Sequence, residues 1–220
     1  MGFKLFGPEE KREIKIAQPE SVLKSGPPLA PTVSVTTNPL PTRDPFRPLV
    51  GIVSGHRGYD PGAVCPDGLT EAEVNYRTAL EVIDLLERRG VQAVLLDEFD
   101  DRLTGFQADG LVSIHADSCM VPGATGFKVA RVTDSAIPEA EDKLVSCLNQ
   151  EYGTYTGLPQ HPSSITDNMT NYHAFREIDR STPGAIIELG FLLEDRYLLE
   201  NKPKILARGV AAGILCFLGK

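Results

Sequence analysis

Leu49-Val50-Gly51-Ile52-Val53-Ser54-Gly55-His56-Arg57-Gly58 sets the reading of the whole chain. The apolar run Leu49 to Val53 reads as a buried strand, and the glycine-rich turn behind it delivers His56 at the strand's C-terminal end. Glu71 to Arg89 then reads as a helix. Val74, Leu80, Ile83 and Leu86 form its apolar stripe, and Gly90 stops it. Strand followed by helix is the start of an α/β alternation, which continues to the C-terminus.

Further strands are expected at Val91 to Leu96, Gly110 to Ile114, Gly126 to Val132 and Ala185 to Leu189. Helices are expected at Pro138 to Tyr152 and Pro203 to Leu218, with Pro203 near the first turn of the latter. The fold expectation is α/β: a single three-layer domain with a mixed, mostly parallel sheet and helices on both faces. It spans residues 48–220. Residues 1–47 read as an extended, flexible Pro-rich arm or linker, because nine of the 17 prolines fall at or before Pro48 with little periodic hydrophobicity.

At 220 residues, 41% hydrophobic and 24% charged, the chain can bury a real core. A net charge of −8 argues against a broad nucleic-acid-binding surface, and no nucleic-acid partner is expected. No signal peptide is visible, and no apolar run reaches the ~20 residues of a membrane span. The four cysteines, Cys65, Cys119, Cys147 and Cys216, form no CxxC pair and read as isolated buried thiols. Cys65 and Cys119 lie close to candidate ligands, so a bridge between them or a thiolate ligand stays open.

The chemistry-bearing residues gather at one place in the pattern. His56, His115 and Glu188 each stand at or just past the C-terminal end of an expected strand, where ligands collect in open α/β sheets. Glu71 opens a helix. Thr70 and Glu73 fit a capping box, which gives Glu73 a structural role and leaves Glu71 free to project outward. Glu188 interrupts the apolar run Ala185 to Phe191, where an unpaired charge is costly. It is either paired with a buried cation or aimed at a reacting group, with a pKa raised by desolvation. Two imidazoles and one carboxylate, His56, His115 and Glu71, suit a three-ligand zinc site with a fourth position left for water. His161 and His173 fall in a Pro-, Ser- and Asn-rich stretch and read as loop residues, although Asn171 to Arg176 could line a substrate groove.

With these pieces in this order, Leu49 to Leu218 resembles the zinc-dependent N-acetylmuramoyl-L-alanine amidases of the bacterial cell wall, the amidase-3 type. The residues that carry it are Gly55-His56, Glu71 with Asn75 four residues on, Ser113-Ile114-His115, and Glu188-Leu189-Gly190-Phe191. The resemblance implies one Zn2+ per chain held by His56, Glu71 and His115, with Glu188 as the catalytic base. It also implies a peptidoglycan or muropeptide substrate and a cell-envelope or extracellular location. The chain departs from the family's pattern at Val53-Ser54, at Arg57, at Asp97-Glu98-Phe99-Asp100 in a shortened connection, and at Asp117. Three competing readings remain: a zinc peptidase on free peptides, a catalytically silent wall-binding or regulatory module, and a glycosidase using Asp60 and Glu188.

Overall fold

The structure, a computed structural model, describes residues 40–220. Most of the arm expected over residues 1–47 therefore lies outside the described residues. Its last stretch runs along the domain: Arg43 forks onto Asp109 at 2.9 and 3.0 Å, and Gln92 accepts from the Asp44 N–H and donates to the Thr42 carbonyl.

Five strands form one sheet: β1 (Leu49–Ser54), β2 (Gln92–Leu96), β3 (Gly110–Asp117), β4 (Lys128–Ala130) and β5 (Gly184–Phe191). Their spatial order is β2-β1-β3-β5-β4, all parallel except β4, which pairs antiparallel with β5 at the edge. This is the mixed, mostly parallel sheet expected, and the carboxyl ends of its four parallel strands share one rim.

The two outer layers are unequal. One face is packed by three long helices: α1 (Glu71–Arg88), α2 (Pro138–Thr156) and α6 (Pro203–Leu218). Val50, Ile52, Val112, Ile114, Ala185, Ile187 and Leu189 point into that apolar core. The helices pack closely because α6 carries glycines where it meets α2. A Cβ on Gly209 would lie 2.9 Å from the Tyr152 Cα, and one on Gly213 would lie 2.8 Å from the Leu148 Cα. The opposite face carries Leu49, Val53, Leu111 and Ile186, covered by connecting segments and by the short helices α3 (Asp167–Thr170) and α4 (Ala174–Glu177). A further short helix, α5 (Arg196–Asn201), follows β5. The sequence pattern did not anticipate α3, α4 or α5, because segments of four to six residues are too short to show a helical period.

One expectation is corrected. All four cysteines are bonded, as Cys65–Cys119 and Cys147–Cys216, and no described cysteine is free. The apolar helical setting of Cys147 and Cys216 was read correctly, but α2 and α6 face each other and bring the two together. Cys65–Cys119 ties the loop after β1 to the loop after β3. That takes up the bridge left open at sequence level and removes both sulfurs as candidate ligands. No described helix is long and apolar enough to cross a membrane.

Candidate metal centre

β1 ends at Ser54, and the chain then turns sharply enough to put His56 at φ 65°, in the left-handed region that a non-glycine residue enters only when held there. Two carboxylates hold it. The His56 N–H donates to Glu98 Oε2 at 2.7 Å, and its ring Nδ1 lies 2.6 Å from Asp60 Oδ1. Gly55, just before it, is required by contact: a Cβ there would lie 2.4 Å from the His115 ring. The glycine is what lets the two imidazoles, 5.1 Å apart between centroids, share one site.

Glu71 enters from the first turn of α1. Thr70 caps this helix, accepting from the Glu73 N–H at 3.2 Å, while the Glu73 carboxylate turns to Arg77 rather than closing the box. Glu71 is left aimed inward and is buried. Its Oε1 lies 3.2 Å from His56 Nε2 and 3.1 Å from His115 Nδ1, and Oε2 accepts from the Ala63 N–H at 3.0 Å. Gly62 makes room for it, since a Cβ there would meet Glu71 Oε2 at 2.6 Å. One donor atom from each of His56, Glu71 and His115 falls within a 4.8 Å group, the one such cluster among the described residues.

These charges shape each other. Burial works against the Glu71 carboxylate, but the His115 and His56 rings outweigh it and hold the group far below the usual carboxylate range. Glu71 in turn pushes His56 up to about 9, against the opposing effect of burial. Burial lowers the His115 ring's basicity, yet Glu71, Glu188 and Glu98 leave it raised overall.

A cavity of about 550 Å³ opens beside this group, on the thinly covered face of the sheet. Glu188 lines it from β5, paired in register with His115 on one side and Lys128 on the other. The cation that the sequence reading of Glu188 called for has its candidate in this arrangement. Lys128 is the buried cation, but its ammonium pairs with Asp117 and also donates to Ser164 O and Oγ at 2.9 and 3.0 Å. Glu188 Oε2 is buried and accepts no hydrogen bond. Burial first, then the nearby Glu71 and Asp117 charges, push this carboxyl up to about 7 against the pull of His115 and Lys128.

Sequence reasoning missed Glu98 and Lys128. Glu98 is buried, receives the His56 N–H, lies 3.1 Å from His173 Nε2 and stands 3.6 Å from His115 Nε2. Burial opposes its charge, yet these partners keep it below the ordinary range. It stands just past β2, as His56 stands just past β1, but in the acidic run Asp97 to Asp100 it reads as solvated loop. His115 and Glu188, expected at strand ends, instead lie within β3 and β5 because the strand pairing continues to Asp117 and Phe191. Lys128 interrupts Phe127-Val129-Ala130 just as Glu188 interrupts β5, so the same signal was available. Of the two histidines read as loop residues, His161 bonds Ser164 outside the cavity lining, whereas Asn171, Tyr172 and His173 line it. The Tyr172 hydroxyl accepts from Ser113 Oγ at 3.1 Å and lies 3.4 Å from His115 Nε2.

Residues 50–216 match the family described as N-acetylmuramoyl-L-alanine amidase. The N-acetylmuramoyl-L-alanine amidase AmiC of Neisseria meningitidis serogroup B is 27% identical over 172 residues, covering 72% of this chain and 41% of that protein. The chain spans about two fifths of the length of the curated relatives it matches, 41% and 40%. Among solved structures, the N-acetylmuramoyl-L-alanine amidase of Clostridium difficile 630 superposes with a TM-score of 0.66 at 25% identity, over 80% of this chain and 98% of that one. The corresponding amidase of Mycobacterium smegmatis gives a TM-score of 0.66 at 19% identity, over 79% and 98% of the two chains, a likeness of fold.

Proposed function

The chain belongs to the N-acetylmuramoyl-L-alanine amidase family, and we propose that it hydrolyses the amide joining the lactyl group of N-acetylmuramic acid to L-alanine of the peptidoglycan stem peptide, using one zinc ion. The observation that carries this reading is the convergence of His56, Glu71 and His115 donors within 4.8 Å, in the same cavity as a buried carboxylate oxygen of Glu188 that has no partner.

The donor set fits zinc: two neutral-capable imidazoles and a carboxylate, with no thiolate, suit a catalytic site with one open position. When bound, the ion supplies Lewis acidity that acidifies water and polarises the scissile carbonyl. Outer contacts hold the ligands in place, Asp60 on the His56 ring and the Ala63 N–H on Glu71. Glu188 takes the proton of the attacking water and returns it to the departing amine nitrogen. A carboxyl pushed up to about 7 is matched to both transfers near neutrality. The Tyr172 hydroxyl, against Ser113 and His115, walls the cavity and orients the His115 ring. Two disulfides support a working location in an oxidising compartment, at the cell envelope or outside the cell.

The test is product analysis. Zinc-loaded protein is incubated with a muropeptide and with its sugar-free stem peptide, and both digests are read by mass spectrometry. The amidase reading predicts an intact disaccharide with a free lactyl carboxyl and an intact peptide beginning at L-alanine. Cleavage inside the sugar-free peptide would replace that reading with a peptidase, and no product from either substrate would leave a binding module.

A further inference from the structure

We propose that Tyr59 and Phe99 form the glycan-binding subsite of this enzyme, stacking on a neutral pyranose ring on the acyl side of the scissile amide. The inference rests on the amidase reading and adds to it where each half of the substrate lies.

The aromatic cluster is unusual in its exposure. Tyr59 is 67% exposed and Phe99 53% exposed. They nevertheless pack in order, Tyr59 and Phe99 in a T-shaped contact with ring centroids 4.6 Å apart and Phe99 stacked on His173 at 4.2 Å between centroids, His173 itself lining the cavity. The result is a preformed aromatic surface continuous with the site, held from beneath by the bonds of His173 to Glu98 and Glu177. Rings fixed in this way lose little side-chain freedom on binding.

Sheet order tells which half of the substrate meets it. Along the shared rim stand Phe99 after β2, Tyr59 and His56 after β1, His115 on β3, Glu188 on β5 and Lys128 on β4. The group that returns a proton to the departing amine is Glu188, so the peptide half lies toward β5 and β4. The acyl half, which bears the sugar, must then extend the other way, across His56 toward β1 and β2. The aromatic surface stands there, about 19 Å from the β4 end at four strand spacings of about 4.8 Å.

Charge agrees with that assignment. Asp60 adjoins Tyr59, Glu98 adjoins Phe99, and Glu177 bonds His173. Such a surround disfavours an anionic group. The muramic lactyl carboxyl is consumed in the amide, so the sugar arrives neutral, whereas a stem peptide carries carboxylates. A pyranose face presents C–H bonds with positive partial charge to the negative face of an aromatic ring, which gives affinity without any charged partner.

The experiment uses the full chain and the variants Phe99→Ala and Tyr59→Ala, both at exposed positions and checked for unchanged melting. Steady-state kinetics are measured on a disaccharide muropeptide and on the sugar-free lactyl-peptide amide. Phe99→Ala should raise KM for the sugar-bearing substrate, lowering its kcat/KM relative to the sugar-free amide about five- to tenfold, with Tyr59→Ala smaller in the same direction. Independently, a neutral disaccharide whose lactyl carboxyl is capped as a methylamide is titrated into metal-free protein by NMR. Wild type should show a saturable shift that weakens by a similar factor in Phe99→Ala. Equal losses on the two substrates, or no saturable shift in wild type, overturn the proposal. Should wild type cleave neither substrate, the hydrolase reading fails while the titration still decides the subsite.

Discussion

On the face packed by α1, α2 and α6, contacts are apolar, helices approach through Gly209 and Gly213, and a disulfide ties α2 to α6. On the opposite face the cover is thin, and polar groups are bonded to one another around a cavity. Each fully buried aliphatic side chain of the first face contributes about 1.5–3 kcal/mol. The second face buries Glu71, Glu98, His115 and Lys128, groups that do little for stability unless each finds a partner. The contrast indicates a division of labour, in which one face supplies the folding energy that lets the other hold charges close together.

The division can be broken from either side. The largest effect should come from His115→Ala. Zinc affinity should fall by more than about 100-fold, since losing even an outer partner of a ligand can cost that much. Activity should fall with it, while melting measured in chelator drops by only a few degrees. Metal titration and calorimetry on one preparation check this. A collapse of the fold would mean the two faces are not separable.

Replacing Cys147 and Cys216 together by Ala should do the reverse. The bridge closes a separation of 69 residues, so its removal should cost about 3–4 kcal/mol of unfolding free energy while zinc binding persists below the new melting temperature. Denaturant unfolding of the double variant, beside zinc titration, measures both halves.

A smaller effect sharpens the comparison through pH. In metal-free protein His56 is raised from 6.5 to about 9 and His115 is raised as well, so both bind protons more tightly folded than unfolded. Their contribution is fully present below 6.5 and is lost as pH rises through the folded values. Glu71 is lowered from 4.5, so its contribution is present above that value and is lost as pH falls. Metal-free protein should therefore melt highest between pH 4.5 and 6.5 and weaken toward pH 9. Zinc needs neutral imidazoles, so the loaded protein should not weaken over that upper range. Melting curves with chelator and with zinc decide it, and parallel curves would argue against a shared site.

Much of the apolar face was legible in sequence, because long periodic segments such as α1 and α6 carry their own signal. Of the stripe expected on α1, however, only Val74 and Leu86 are buried: Leu80 is exposed, Ile83 is half-buried, and Ala79 and Val82 complete the inner face. The rim was legible in part: Glu71 opens α1 and His56 follows β1 as expected, whereas His115 and Glu188, expected at strand ends, lie inside β3 and β5, which both run further than their apolar patterns indicate. Three features were not legible. Cys147–Cys216 depends on how two helices dock, which neither helix states alone. Glu98 hid in an acidic run, where a buried carboxylate and a solvated one look alike. The left-handed backbone of His56 is held by its N–H bond to Glu98, which arises only once β1 and β2 are paired.

The central claim joins a His-Glu-His zinc site to a separate carboxylate that moves the proton. Glu188→Gln tests it most directly when metal content and muropeptide turnover are measured on the same sample. The account predicts one zinc per chain, a melting temperature close to wild type, and turnover reduced by about 10²- to 10⁴-fold. A folded, uncontaminated variant that retained most of its turnover would contradict it.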